Sequence, residues 1–342
     1  MSNTQLNQPT LTAGSAPKKT GRQLLSQYST LVALALLFII ANFISPVFAQ
    51  ADNLTNITMQ IAVNGILAVG MTMVVLTGGI DLGVGAVAGL CGVVLAMTAD
   101  KYGIVPAILA TLLTGLLIGL WNALFITRFN IPPFIVTLGM MTIARGLALY
   151  ISEGSAIALP VNDFLTALGS GYLSVTLSTV LIVLALLGVL WTGILRVRRD
   201  GVQLSTVLSL VVSLIVIGLV AWVYLSYQGI PYLVLVFALI VLWGVFILNK
   251  TTFGRYLYAI GGNAKAALLS GVPVKMNLVK VYVTSALLAS VAGIVMTTRV
   301  GSGDPTGGNM FELDAVAAAV IGGTSLSGGY GTVVGSLIGA FI

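Results

Sequence analysis

Long apolar stretches separated by short polar connections recur along almost the whole chain. A helix that crosses a membrane needs ~20 predominantly apolar residues, and most of these stretches approach that length. The pattern predicts an all-α, polytopic integral membrane protein with about ten transmembrane helices, some of them broken or re-entrant at glycines. The expected spans are residues 31–48, 54–76, 82–97, 104–126, 134–151, 173–195, 204–227, 232–248 and 278–296, with a Gly-rich tenth from residue 313.

The two ends of the chain differ from the long apolar stretches between them. Residues 1–27 are predicted to be an unstructured polar tail, and residues 28–342 form the transmembrane domain. A signal peptide is the alternative for the N-terminus, but no convincing small-residue cleavage site precedes Asp52. The final apolar run, residues 332–342, is too short to cross a bilayer, so we expect a truncated C-terminus.

Composition narrows the class of protein further. Hydrophobic residues make up 58% of the chain and charged residues only 7%, with a mean hydropathy of +1.09. Soluble domains carry ~25% charged residues, so these values exclude a soluble enzyme, a disordered chain and a disulfide-stapled secreted domain. Histidine is absent and Cys91 is the single cysteine. The commonest metal ligand and general base are therefore missing, and we expect no metal or cofactor.

The basic residues are distributed unequally between the two sides of the membrane. When the N-terminus is placed in the cytoplasm and the spans alternate, all but three of the 15 Lys and Arg residues fall on the cytoplasmic side. The exceptions are Lys101 and Arg299 outside and Arg145 within a span. The positive-inside rule therefore predicts a cytoplasmic N-terminus, and it explains the basic balance without a nucleic-acid partner.

A glycine-rich segment, Thr77–Gly85, interrupts the second and third apolar stretches. Glycines permit irregular backbone or close helix packing, and irregular backbone at membrane depth lines a cavity or is buried in protein. Asp81 in this segment has two interpretations. It is the N-cap of the following helix, or it lies in a translocation path, as ionisable residues within membranes commonly do.

Arg145 lies about eleven residues into a span that follows Pro132 and Pro133. An arginine at that depth needs an acid or carbonyl oxygens as partner, or it must extend to the interface. The specific hypothesis is an ion pair with Asp81 or Asp314. Its role is open between structural pairing and contact with a transported substrate.

The last region contains Glu312, Asp314 and the segment 321–331, IGGTSLSGGYG, in which Gly322 and Gly323 echo Gly78 and Gly79 as a weak internal repeat. The tetrapeptide LSGG at 326–329 is similar to the signature of ABC-type ATPases. We reject that interpretation because the chain has no phosphate-binding P-loop motif. The glycines, including those at 331, 335 and 339, are expected to pack helices closely.

The longest cytoplasmic connection between spans is residues 249–277. Gly261, Gly262 and Asn263 are expected to end one short element, and a short helix over 264–270 is expected to stop at Gly271. A helix too polar to insert must lie at the membrane surface or dock on a partner. A plain connecting loop is the alternative.

No catalytic constellation is present, so a membrane enzyme is the least favoured class of function and transport is preferred. Asp81 and Asp314 are consistent with an ion-coupled carrier. A neutral, hydroxyl-rich substrate would instead need polar, uncharged groups. The candidate path residues of that kind are Asn64, Thr77, Asn122 and Thr137, although each is equally suited to joining helices.

Four long segments resemble the permease subunits of bacterial ABC sugar importers, in the subgroup that serves ribose, xylose, galactose and related monosaccharides. They occur in the expected order and span roughly residues 54–342. The stretch at about 190–230 is similar to that of the xylose-type permeases, and the ribose-type permeases lack it. The segments are TGGIDLGVG at 77–85, IPPFIVTLGMMTIARGLAL at 131–149, FGRYLYAIGGNAKAALLSGV at 253–272 and ELDAVAAAVIGGTSLSGGYGTVVGSLIGA at 312–340.

The resemblance implies a permease subunit in the bacterial cytoplasmic (inner) membrane that translocates a monosaccharide, such as the pentose xylose, by alternating access. It implies no ATPase site in this chain. It also implies three partners: a second permease copy in a homodimer, a cytoplasmic ATP-binding cassette subunit, and a periplasmic or extracytoplasmic sugar-binding protein. Members of the family continue for several dozen residues past the position of Ile342.

The resemblance also places individual residues. Asp81 matches the family's Gly-Ile-Asp-Leu motif, although no role comes with the match. The cytoplasmic segment that couples to the ATPase matches residues of the 249–277 loop, namely Gly261, Gly262, Asn263, Lys265, Ala266 and, at its end, Gly271.

Overall fold

The computed structural model describes residues 21–201 and 203–342. It describes the side chains of all these residues except 21–28, 200 and 205. Most of the tail expected over 1–27 lies outside the described residues. Its last part, residues 21–27, is helical, so that prediction is wrong there. The helices are α1 (Gly21–Ile44), α2 (Ala51–Leu76), α3 (Val84–Tyr102), α4 (Ile104–Arg128), α5 (Pro133–Ile151), α6 (Asp163–Ser170), α7 (Val175–Asp200), α8 (Leu204–Leu225), α9 (Tyr232–Lys250), α10 (Thr252–Leu269), α11 (Val274–Val300), α12 (Phe311–Ile321) and α13 (Val333–Phe341).

The fold is that of a polytopic all-α membrane protein, and each of the first nine predicted spans corresponds to a helix. Eight helices of the described chain are long and apolar enough to cross a membrane: α2, α3, α4, α5, α7, α8, α9 and α11. Helix α1 adds a shorter apolar segment, Ser29–Ile44. The boundaries shift by a few residues because polar end residues such as Lys101 and Arg128 continue the helices.

The expected tenth span is not one continuous helix. Helices α12 and α13 are too short to cross a bilayer singly, and residues 322–332 separate them. The two helices pack closely because glycines face carbonyls: a Cβ at Gly335 would overlap the carbonyl oxygen of Gly322, and one at Gly339 that of Ala318. The predicted close packing at these glycines is confirmed, and the region is a broken helix pair.

Helices α2, α3 and α11 form the centre of the bundle. Most side chains in their apolar stretches are buried, as expected for helices that other helices surround. Helix α4 packs along α11, whereas α7 and α8 pack mainly on each other at the periphery and expose most of their apolar side chains.

A small non-helical layer covers the end of the bundle where α5 and α11 finish. Strand β1 (Ile157–Ala158) pairs antiparallel with β2 (Ser302–Gly303), with Ile157 opposite Gly303. Helix α11 stops before this layer at Gly301, whose left-handed backbone is one that glycine adopts without strain. The opposite end of the bundle contains the end of α2 with the glycine-rich segment that follows it, and α10.

Candidate functional site

Helix α2 ends in a glycine motif that begins an irregular break between α2 and α3, residues 77–83. The Gly79 amide donates to the carbonyl of Val74, and the Gly78 amide donates to that of Val75. The same pattern closes α12, where Thr324 and Gly323 donate to Ala319 and Val320. Both endings have the geometry that commonly terminates helices at glycine. The two endings align Gly78 with Gly323 and Gly79 with Thr324, one residue out of register with the match of the two Gly-Gly pairs, so the internal repeat stays a prediction.

Asp81 lies in the break and is 2% exposed. One carboxylate oxygen accepts a hydrogen bond from the Gly83 amide at 3.0 Å, and the other accepts one from the Ser285 hydroxyl on α11 at 2.9 Å. Gly83 is the residue that caps α3, so the interpretation of Asp81 as the N-cap is wrong. Its carboxylate instead holds the break against the central helix α11.

Thr137, fully buried near the start of α5, secures the other side of the break. Its hydroxyl accepts a hydrogen bond from the Leu82 amide at 3.0 Å and donates to the carbonyl of Pro133 at 3.0 Å. Pro133 opens α5 at a position where a missing amide hydrogen is harmless. The structure therefore brings Asp81 and Thr137 together on one segment, as two fixed supports of its backbone.

A cleft of about 350 Å³ lies beside the break, where α2 and α4 end and α5 and α11 begin. Thr77, a predicted path residue, lines it, and its hydroxyl donates to the carbonyl of Val74 at 2.7 Å. Tyr282 on α11 also lines the cleft, and its hydroxyl is buried with no hydrogen-bond partner among the described residues. The lining residues are Thr77, Gly78, Gly79, Ile126, Asn130, Ile131, Pro132, Pro133, Leu278 and Tyr282.

Arg145 lies far from this cleft, near the non-helical layer. Its guanidinium donates two hydrogen bonds of 2.8 Å, to the carbonyl oxygens of Pro305 and Gly307. The hypothesis of an ion pair with Asp81 or Asp314 is therefore wrong, and the alternative of carbonyl partners is confirmed. The arginine anchors the connection between β2 and α12 onto α5.

The remaining predicted path residues form no common site with Asp81. Asn64 in the middle of α2 donates to the Asp314 carboxylate on α12 at 3.3 Å, and its side-chain oxygen is buried with no partner in the described part of the chain. Asn122 on α4 is 2% exposed, and its side-chain oxygen likewise has no partner there. These amides lie inside the bundle, outside the cleft.

Helix α10 contains the predicted short helix. Its backbone leaves helical geometry at Asn263, with φ −162° and ψ 102°, and the Asn263 side chain accepts from the Ala266 amide at 2.9 Å. Asn263 thus begins a second helical segment, 264–269, which ends before Gly271 in a left-handed conformation. The prediction of a short helix stopped by Gly271 is confirmed. This segment exposes most of its side chains, including Lys265 and Ala266.

The first half of α10 contacts the end of α2 directly. Gly261 packs so closely that a Cβ there would overlap the carbonyl oxygen of Leu76. That same carbonyl accepts a hydrogen bond of 2.9 Å from the Gly329 amide, so three segments meet at one residue. At Gly262, by contrast, a Cβ would lie in open space, with no described atom within 4 Å of it.

Tyr258 strengthens this junction. Its hydroxyl donates to the carbonyl of Gly331 at 2.8 Å, and burial raises the pKa of the phenol, so the donor stays protonated at neutral pH. The LSGG tetrapeptide at 326–329 lies here, in the connection between α12 and α13. Its glycines contact Gly78 and Gly261. The tetrapeptide therefore has a packing role in the described chain, as predicted.

Sequence reasoning missed Tyr282 and Ser285. Both lie in a span that was treated as a plain crossing helix, and they are one helical turn apart, so they face the same segment. Two polar residues at that spacing in an apolar helix were an available signal. Glu312, at the start of α12, is 7% exposed, and one of its carboxylate oxygens is buried with no partner among the described residues.

Comparison with known proteins gives one family and several relatives. The family model described as the branched-chain amino acid transport system / permease component matches residues 53–342. The xylose transport system permease protein XylH of Escherichia coli (strain K12) is 37% identical over 353 residues, covering 100% of this chain and 88% of that protein. XylH of Haemophilus influenzae is 36% identical, covering 93% of this chain and 87% of that protein.

A ribose permease is similar to the same degree. The ribose import permease protein RbsC of Bacillus subtilis (strain 168) is 37% identical over 312 residues, covering 91% of this chain and 80% of that protein. No solved structure matches the chain.

Proposed function

The chain belongs to the family of branched-chain amino acid transport system permease components, and on that premise we propose that it is the membrane-spanning subunit of an ATP-driven, binding-protein-dependent monosaccharide importer. The relatives named above are xylose and ribose permeases, which supports a pentose. The peripheral pair α7 and α8 occupies the stretch that resembles the xylose-type permeases, so xylose is the sugar we propose.

The observation that carries the proposal is the construction of α10. Its second half presents Leu268 and Leu269, 62% and 90% exposed, on a short helix beyond the end of the bundle. Its first half contacts the end of α2 through Gly261. A separate ATPase that binds the exposed second half of α10 can therefore displace the break through the contact at Gly261. The chain then needs no ATPase site of its own.

The remaining parts of the proposal concern orientation and assembly. The sidedness of the basic residues supports a cytoplasmic N-terminus. With that orientation, α10 and the break would lie at the cytoplasmic face of the inner membrane. A homodimer of permeases with two ATPase subunits would then alternate between a state open to an extracytoplasmic sugar-binding protein and a state open to the cytoplasm.

The test is a mild-detergent pull-down of the tagged chain from its native membrane, with mass spectrometry of the bound proteins. We expect an ATP-binding cassette subunit in near-stoichiometric amount. Ala266→Glu or Gly262→Pro in α10 should abolish its recovery and sugar uptake while the permease stays folded. The control Ser155→Glu adds the same charge at an exposed position on the opposite end and should leave ATPase recovery unchanged.

Two outcomes would contradict the proposal. A stable, folded chain recovered without any ATPase would favour an ion-coupled carrier instead. Collapse of uptake by an ionophore at constant cellular ATP would do the same, and Asp81→Asn and Asp314→Asn would then be the variants expected to lose transport.

A further inference from the structure

We propose that the Asp314 carboxylate is a sugar-binding group at the middle of the membrane, where it accepts hydrogen bonds from two neighbouring hydroxyls of a neutral sugar in a water-filled path. Asn64 is the residue that positions this carboxylate. The inference rests on the proposed function and adds the residues and the depth of one binding subsite. Three observations carry it: the depth of Asp314, its exposure, and a row of amide side chains that leads to it along α2.

Asp314 lies at the depth of the membrane centre. Its carboxylate accepts a hydrogen bond of 3.3 Å from the side-chain amide of Asn64, which is in the middle of the candidate membrane span α2. Because a helix rises 1.5 Å per residue, Asn64 is about 18–20 Å from each end of α2. Asp314 is in the first turn of α12, so α12 is a half-helix that begins near the middle of the membrane.

The second observation is that Asp314 is exposed on the side of the bundle. It shares the exposed face of α12 with Ala317, one turn away. A carboxylate against lipid acyl chains at this depth is costly, so such residues face a water-filled cavity or the interior of an assembly. Arg145, which was the expected cation partner, is bonded to backbone carbonyls instead, and the same holds in a second copy of the chain. The exposed face of α12 is therefore best suited to be a wall of a water-filled path.

The third observation is a row of amides on α2. Asn56, Gln60 and Asn64 follow one another at intervals of four residues, so they lie on one face of the helix. Asn56 and Gln60 are exposed, although most of the apolar stretch of α2 is buried. The row runs from the start of α2, at the end proposed to be extracytoplasmic, towards Asp314. Amides both donate and accept hydrogen bonds, so this row can exchange them with the hydroxyls of a passing sugar.

Asn64 and Asp314 have different roles in the subsite. The Asn64 side-chain oxygen is buried and offers no acceptor to a ligand, whereas its amide nitrogen holds one oxygen of the exposed carboxylate. An ionised carboxylate accepts hydrogen bonds through both oxygens and donates none, and such charge-assisted bonds are strong. It therefore favours a ligand with adjacent hydroxyl donors and repels an anion. The subsite should select a neutral sugar against a sugar acid of the same size.

Thiol labelling of the complete importer, with its ATPase subunits, tests whether this face is water-filled. Cys91 is fully buried, and Cys91→Ala gives a background free of cysteine. In that background, Gln60→Cys and Ala317→Cys should react with a charged, membrane-impermeant thiol reagent at least an order of magnitude faster than Leu184→Cys, because the reactive thiolate forms in water and not among acyl chains. Leu184, 58% exposed on the peripheral helix α7, is the lipid-facing control. Equally slow labelling at all three positions would overturn the proposal.

Protection by a ligand tests the subsite itself. Xylose in high excess should slow the labelling of Ala317→Cys severalfold, because the thiol lies one turn from Asp314. Asp314→Ala in the same chain should abolish this protection while the thiol stays reactive. Xylonate, which has the carbon chain of xylose and a negative charge, should not protect. Labelling that xylose does not slow, or that Na⁺ slows instead, would overturn the sugar subsite.

Transport by the importer in proteoliposomes, with saturating xylose-loaded binding protein, measures the contribution of the carboxylate. Asp314→Ala should lower the number of sugars imported per ATP hydrolysed about tenfold to hundredfold, the equivalent of one hydrogen bond to a charged group. Asn64→Ala should lower it less, and the double variant should match Asp314→Ala, because Asn64 acts through Asp314. The unfolding midpoint of Asp314→Ala should stay near the wild-type value, since the side chain is exposed. Asp100→Ala, at an exposed acid near the end of α3, is the matched control and should transport normally.

The outcomes separate the subsite from the proposed function. Wild-type transport by Asp314→Ala, or additive losses in the double variant, would overturn the assigned roles and leave the importer intact. Uptake that an ionophore abolishes at constant ATP would refute the proposed function itself, whatever the labelling shows.

Discussion

Asp81 and Ser285 are 204 residues apart in the chain, and a hydrogen bond of 2.9 Å joins their side chains inside the bundle. This bond ties the break between α2 and α3 to the central helix α11. Ser285 lies one turn from Tyr282, so the same face of α11 supports the break and lines the cleft beside it.

Removing either partner of this bond should destabilise the protein. Ser285→Ala leaves one oxygen of a buried carboxylate without its donor, which should cost about 1.5–3 kcal/mol. Asp81→Ala should be comparable or worse, because it removes the acceptors of both the Gly83 amide and the Ser285 hydroxyl. Thermal unfolding of the purified permease in nanodiscs measures the loss. The exposed variant Ser155→Ala is the control, and equal midpoints in all four proteins would contradict the prediction.

Gly261 should tolerate no side chain. Gly261→Ala places a methyl group where the Leu76 carbonyl oxygen now lies, so α10 must separate from the end of α2. We expect a lower unfolding midpoint and a loss of transport in which ATP hydrolysis continues without uptake. Gly262→Ala meets no atom within 4 Å, so its unfolding midpoint should match the wild type. Similar midpoints for both variants would argue against the close contact.

Arg145 should be required for order in the connection between β2 and α12. Arg145→Met leaves the carbonyls of Pro305 and Gly307 without their donor and should speed amide hydrogen exchange over residues 301–310. Both hydrogen bonds come from the single nitrogen Nη1. Arg145→Lys keeps a cationic nitrogen with several donors, but on a shorter side chain that places it differently, so its exchange should be intermediate. Lys101→Met removes an exposed charge at the same end as a control. Exchange that stays at the wild-type rate in Arg145→Met would exclude an anchoring role.

The packing of α4 on α11 should depend on Gly115. A Cβ there would overlap the Ser290 hydroxyl and lie 2.7 Å from the Ala286 carbonyl oxygen. Gly115→Ala should therefore destabilise the protein by about 1–3 kcal/mol, despite the higher helix propensity of alanine. Gly188→Ala on α7 meets nothing within 4 Å and should leave the unfolding midpoint unchanged or raise it. A stabilised Gly115→Ala variant would show that the helices separate at no cost.

The spans and the short helix of α10 could be predicted because their signals are local. Apolar length marks a crossing helix, and Asn263 and Gly271 mark the two ends of a helical segment. The partner of Arg145 could not be predicted, because every residue carries a carbonyl and none is marked in the sequence. The supports of the break were equally hidden, since the Asp81 bond joins distant parts of the chain. The sequence predicted breaks at glycines but did not indicate which Gly-rich region is broken, because the glycines of the tenth region could either interrupt a helix or pack one closely.

The contact between Gly261 and Leu76 has a mechanical consequence. Side chains that touch can rotate to new rotamers and absorb a small push, but two backbones in contact have no such freedom. The contact between α10 and α2 is therefore stiff, and a displacement of α10 is transmitted to the break almost in full. The kink at Asn263 is where α10 itself can bend.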